Sequence, residues 1–177
     1  MDFYRIGDKL ISTEKAVRTL ERIFQLRASG MSQQEVANRV GCDRTFISRL
    51  ETMAEVRKGG SLAVIGFPLA NVEEIKQVCD TLGVEYTLLL NDKERWEFVE
   101  SMSGQQLLNW LMELMSDMRL YDNVIVIGSD MRIRLAEAIL GDMVIGLEIG
   151  KSPIKEDIYI SPQKLTQVIT TIRGVMP

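Results

Sequence analysis

A chain of 177 residues with 46% hydrophobic and 26% charged residues is ordinary globular material, enough for one domain of usual size and a small one. It contains no histidine, which excludes the usual zinc sites and every histidine-dependent catalytic triad. The net charge of -4 is unevenly spread: residues 1–60 carry 11 Lys and Arg against 8 Asp and Glu (+3), whereas residues 61–177 carry 10 against 17 (-7).

Residues 1–11, MDFYRIGDKLI, alternate around Gly7-Asp8 and predict an extended arm or a small hairpin. Arg5 and Lys9 suit a nucleic-acid-contacting arm, while Phe3, Tyr4 and Ile6 suit a packing segment. From Thr13 to about Ala28, Ala16, Val17, Leu20, Ile23 and Phe24 recur at helical spacing, and Ser29-Gly30 ends the run.

The next stretch, SQQEVANRVGCDRTFISRLE (Ser32 to Glu51), reads as two short amphipathic helices around a sharp turn. Val36, Ala37 and Val40 share one face of the first helix, and Ser32 with Glu35 forms a capping box at its start. Gly41 supplies the positive φ of the turn, and Asp43 is placed to cap the second helix. At about 100° per residue, Phe46, Ile47, Leu50 and Ala54 fall inward on that helix. Arg44, Thr45, Ser48, Arg49 and Thr52 fall outward. Guanidinium forks, hydroxyls and a threonine methyl are the groups that read base edges in a major groove. The first helix is needed as a cover, because two short helices bury too little alone.

This stretch resembles the helix-turn-helix of lambda-repressor-like (XRE-type) bacterial regulators and the trihelical versions in ParB-type partition proteins and resolvases. The resemblance covers residues 13–56. It implies that Gln33 touches a phosphate and braces the recognition helix, and that Arg44, Thr45, Ser48 and Arg49 meet bases in double-stranded DNA, usually as a dimer on paired half-sites. Ser32 and Thr52 complete the expected contact surface. The alternative reading is a three-helix knot packed against protein.

Helix is expected to continue to about Val56, and Arg57-Lys58-Gly59-Gly60 to form a linker whose two cations are placed to meet phosphate. The predicted domains are therefore 1–58, all-α and trihelical, and 61–177, α/β. In the second, strands LAVIGF (62–67), VEYTLLL (84–90), NVIVIG (123–128), MVIGLEI (143–149) and a short DIYI alternate with a helix at 71–82, helical stretches between 92 and 120 of which one runs from about Met102, a helix at 130–140 and a closing helix begun by Ser161-Pro162. Fully apolar strands separated by helices predict a doubly wound, mainly parallel sheet, Rossmann-like or flavodoxin-like.

Ligands in such sheets collect at the carboxyl ends of the strands. A small-molecule effector site is therefore placed at Gly66, Gly128, Ser129, Asp130, Lys151 and Ser152, against the plainer reading that Asp130 and Asn71 are helix caps and the glycines turns. GLEIGKS (146–152) falls short of a P-loop by one spacer residue and is followed by Pro153, and no dinucleotide fingerprint follows a strand. No cofactor or metal is expected. The stripe Leu107, Leu108, Trp110, Leu111, Leu114, Met115 and Met118 is expected to pack in the core or to form a homodimer interface.

Cys42 and Cys79 lack CxxC partners and read as reduced thiols. No apolar run approaches about eighteen residues, so a cytoplasmic location and no membrane partner are expected. The combined expectation is a sequence-specific, non-enzymatic DNA-binding transcription regulator. Two alternatives stand beside it: a DNA-tethered α/β enzyme acting on a nucleotide or phosphorylated metabolite through Asp130, Glu148 and Lys151, and a partition-type or architectural DNA binder.

Overall fold

A computed structural model describes residues 3–55 and 59–174. Arg57 and Lys58, two of the expected DNA contacts, and Val56, where the third helix was expected to end, lie outside the described residues. The chain divides into two compact units, residues 1–55 and 56–177.

The first unit opens with an antiparallel hairpin, β1 (Phe3–Ile6) and β2 (Lys9–Ser12), turning at Gly7. Its apolar residues do not anchor it as the packing reading expected. Phe3, Tyr4, Ile6 and Leu10 are all more than half exposed, because a two-stranded ribbon has no third layer to bury them. Three helices follow: α1 (Thr13–Ala28), α2 (Gln33–Val40) and α3 (Arg44–Met53). Their core is Ile23, Val36, Ala37 and Ile47, with Leu26, Met31, Val40, Cys42 and Leu50 packed against it. Ala37 is fully buried between Ile47 and its neighbours, as expected for a small residue where two helices cross.

The second unit carries a four-stranded parallel sheet. Its elements are β3 (Leu62–Gly66), α4 (Val72–Thr81), β4 (Tyr86–Leu89), α5 (Asp92–Glu100), α6 (Gly104–Met118), β5 (Asn123–Ser129), α7 (Asp130–Leu140), β6 (Val144–Gly150) and α8 (Pro162–Arg173). The strand order is β4-β3-β5-β6, so the crossovers run outward in both directions from β3 and β5. The centre of the sheet is buried on both faces because β3 and residues 124–128 of β5 are apolar at every step and divide their side chains by period-two alternation. Leu62 and Val64 with Ile125 and Ile127 face Ile75 and Cys79 of α4 and Leu165, Ile169 and Ile172 of α8. Ala63 and Ile65 with Val124 and Val126 face Leu114 and Met118 of α6 and Ile133 of α7. Burial pushes the Cys79 thiol up to about 11, so it behaves as a core side chain.

Two local expectations are corrected. DIYI forms no strand; Ile158 makes an isolated bridge to Leu69, and the Ile160 backbone is taken by the Asn71 side chain, whose Oδ1 accepts from Ile160 N–H at 3.0 Å and whose Nδ2 donates to Ile160 C=O at 2.9 Å. Asn71 therefore clamps that loop, and although it precedes α4 its side chain caps no helical amide. The stretch 92–120 is two helices, divided where Ser103 and Gln106 form a capping box at the start of α6.

Close packing makes one glycine of this sheet costly to replace. A Cβ at Gly146 on β6 would stand 2.5 Å from Cγ2 of Ile133 on α7, whose β-branch restricts its escape. Gly146→Ala is expected to destabilise the unit by about 1–3 kcal/mol, read as a lowered midpoint in denaturant with unchanged slope.

Candidate nucleic-acid interface

The three helices of the first unit are tied at one carboxylate. Glu51 on α3 accepts from Nε of Arg27 on α1 and, at 2.7 Å, from Nε2 of Gln33 on α2, while Arg27 also donates to the Met31 carbonyl. The Arg27 hydrogen bond, followed by that of Gln33, holds the Glu51 carboxyl below its ordinary value of 4.5 against an opposing desolvation. The resemblance implied a bracing role for Gln33, but Arg27 and Glu51 as its partners were not anticipated from the sequence. Gln33 meets α3 through Glu51.

Because the folded pKa lies below the unfolded one, the brace contributes fully above the unfolded value and is lost as pH falls through the folded value. Glu51→Gln is expected to cost about 1 kcal/mol at neutral pH, discounted for the part of the side chain that solvent reaches. The difference from wild type should shrink as pH drops below 4.5, read by thermal melts across an acid pH series.

The turn follows the sequence closely. Ser32 Oγ accepts from Glu35 N–H at 3.3 Å and Glu35 Oε2 accepts from Ser32 N–H at 2.7 Å, closing the capping box that starts α2. Gly41 ends α2 in the left-handed region with φ 76°, which a side chain would strain. Asp43 stands at the N-cap of α3, but its side chain makes no capping bond; its carbonyl accepts from Phe46 N–H at 3.1 Å.

On α3, Ile47 is fully buried and Leu50 packs beside it, whereas Phe46 is 47% exposed and Ala54 is exposed, against the expectation that both turn inward. The core is one side chain wide at this seam, and Phe46, a step of about 100° from Ile47, misses it. Arg44, Thr45, Arg49 and Thr52 are exposed and Ser48 is half-buried. Arg44 and Arg49 make no hydrogen bond or ion pair among the described residues. Thr52 donates its hydroxyl to the Ser48 carbonyl at 3.1 Å, which turns its methyl into the available group. Gln33, Ser48 and Thr52 border one shallow depression on the surface of the unit. The exposed face thus offers two uncommitted guanidinium forks flanked by hydroxyls, a donor set suited to phosphates and base edges.

At the carboxyl ends of the strands in the second unit, the residues expected to hold an effector separate into four environments. Gly66 is filled by its neighbours: a Cβ there would stand 3.0 Å from Leu69 and 3.2 Å from Leu89. Ser129 is fully buried and precedes α7 without capping it, its Oγ lacking a partner. Asp130, Lys151 and Ser152 do come together. Asp130 accepts from Ser152 N–H at 2.9 Å and from Arg134 at 2.7 Å, with Lys151 3.7 Å away and itself 3.0 Å from Glu148. The Ser152 amide is the main cause that lowers the Asp130 pKa, and Glu148 raises that of Lys151. The cluster is a mutually satisfied clasp between β5 and β6. Gly128 lies under the stem of Arg132, whose Cβ is 3.6 Å from a Cβ built at that glycine.

Among the described residues, no three His, Cys, Asp or Glu side chains are grouped to hold a metal ion, and no helix is long and apolar enough to cross a membrane. Comparison with protein-family models, curated proteins and solved structures found no match to this chain.

Proposed function

We propose that the chain is a sequence-specific DNA-binding transcription regulator of the helix-turn-helix kind, with α3 as its recognition helix and the α/β unit serving dimerisation and effector sensing. One observation carries the reading: a helix whose inner face is sealed by Ile47 and braced through Glu51 presents Arg44, Thr45, Ser48 and Arg49 outward, with both guanidinium groups uncommitted. The basic excess of the first 60 residues and the resemblance to XRE-type regulators support it.

Dimerisation is assigned to the α/β unit because α6 leaves Leu108 and Met112 58% and 65% exposed while Leu114 and Met118 of the same helix are in the core. Leu108→Glu is expected to convert a dimer to monomer in light scattering at micromolar concentration without lowering the melting temperature. The enzymatic reading is less favoured, since Asp130, Glu148 and Lys151 are occupied with one another.

The test is selection of bound sequences from a random duplex pool, followed by affinity measurement of the winner against scrambled DNA at two salt concentrations. A two-fold symmetric site preferred by at least about a thousandfold supports the regulator. Clustered repeats without a promoter-proximal single site would favour the partition-type reading. Absence of enrichment, with binding that vanishes as salt rises, would leave only phosphate attraction and overturn the proposal.

A further inference from the structure

The α/β unit contains an apolar cavity that the clasp between β5 and β6 does not touch. It has a volume of about 180 Å³ and lies between α6 and α7, on the face of the sheet beneath the carboxyl ends of β3 and β5. Ile65 and Val126 form its floor, Trp110 and Leu114 one wall, Leu135 and Ile139 the other. Its rim carries Phe67, the first residue beyond β3, and Arg132, from the first turn of α7.

Arg132 is the one charged residue on this lining, and its charge is uncompensated. Its guanidinium lies 4.6 Å over the Phe67 ring and donates to the Phe67 carbonyl at 3.3 Å, with no carboxylate within ion-pair distance among the described residues. Burial, followed by the positive charge of Arg95, depresses its pKa, with Asp92 opposing. Arg95, from the first turn of α5, spends one amino group on Asp92 at 2.5 Å, yet its Nε is buried and has no partner. A half-buried cation beside a second arginine with an orphaned donor costs free energy unless an anion is brought to it.

From this geometry we infer that the cavity binds a small amphipathic carboxylic acid, its hydrocarbon or aromatic body between α6 and α7 and its carboxylate on Arg132 with support from Arg95. The apolar lining with a single cation at its rim matches the general make-up of ligand sites, an apolar pocket with few polar groups that fix orientation. The volume suits a ligand of modest size. In a regulator such an acid is the effector, a role that rests on the DNA-binding reading; the binding itself does not, and is measured without DNA.

The probes are sodium butyrate, hexanoate, octanoate and decanoate and the 1-alkanols of the same lengths, titrated into the full chain carrying Trp96→Phe, so that emission comes from Trp110 in the cavity wall. The expected result is saturable change with octanoate, tightening from butyrate upward, and at least tenfold tighter binding of the acid than of 1-octanol. Arg132→Gln should erase that preference by weakening the acid and not the alkanol, Arg132→Lys should keep part of it, and Arg95→Gln should weaken the acid by a smaller factor. No saturable response up to millimolar acid, equal affinity for acid and alkanol, or an unchanged preference in Arg132→Gln would each overturn the inference. So would an emission change that follows protein concentration instead of ligand, which would assign the groove to a second copy of the chain.

Discussion

Replacing Arg49 by alanine is expected to weaken binding to the selected duplex by about 1–3 kcal/mol, roughly 5- to 150-fold, and to relax specificity at one base position. Arg44→Ala should behave alike. Both residues are exposed and make no hydrogen bond or ion pair among the described residues, so thermal stability should stay within about 0.5 kcal/mol of wild type. Affinity is to be measured on the cognate site, on each single-base variant of it and on scrambled DNA. A loss confined to the cognate site marks a base-reading arginine. An equal loss on every sequence, with a salt slope smaller by about one, marks a phosphate contact instead. Full affinity on all of them in both variants would remove α3 from the interface.

Ile47→Ala is expected to have the largest effect on the first unit. Ile47 is fully buried on the inner side of the same helix, in a core of four buried residues and a few partly buried ones. Truncating a buried isoleucine costs about 2–5 kcal/mol, and a unit of this size has little stability to lose. The first unit should therefore unfold while the α/β unit retains its own transition, giving two separate steps in thermal or denaturant melts followed by helical circular dichroism. DNA binding should disappear on every sequence and at every salt concentration. Phe46→Ala, one residue earlier but 47% exposed, should leave the unit folded. If Phe46→Ala unfolded it as readily as Ile47→Ala, the division of α3 into inner and outer faces would be wrong.

Legibility in the chain followed the range of the interactions involved. The three helices of the first unit, the capping box at Ser32 and Glu35 and the left-handed Gly41 were readable because each depends on residues within four positions of one another. The parallel sheet was readable for a related reason: strands buried on both faces carry unbroken apolar runs, and LAVIG and VIVIG are such runs. The Phe46 assignment failed because helical angle alone does not say how wide a three-helix core is. The DIYI strand failed because the side chain of Asn71, 89 residues from Ile160, took the backbone groups that a ladder needs.

The candidate sites divide along the same line. Arg44, Thr45, Ser48 and Arg49 were placed from the sequence by themselves, since the face a residue takes on a short helix follows from its own neighbours. The Glu51 brace joins residues 18 and 24 positions apart and no local pattern announces it. In the second unit, glycines and polar residues at strand ends pointed to the carboxyl edge of the sheet, where packing fills Gly66 and pairs Asp130 with Ser152 and Arg134. In this unit the half-buried Arg132 makes no ion pair among the described residues. It is an ordinary arginine in an amphipathic helix until the sheet sets it over Phe67 and beside Arg95. Sequence determined the elements, their order and which helix face is turned outward, because these rest on local propensity and periodicity. Only the tertiary structure decided which polar groups are satisfied and which are left waiting, because that balance depends on side chains brought together from distant positions and on the water they exclude.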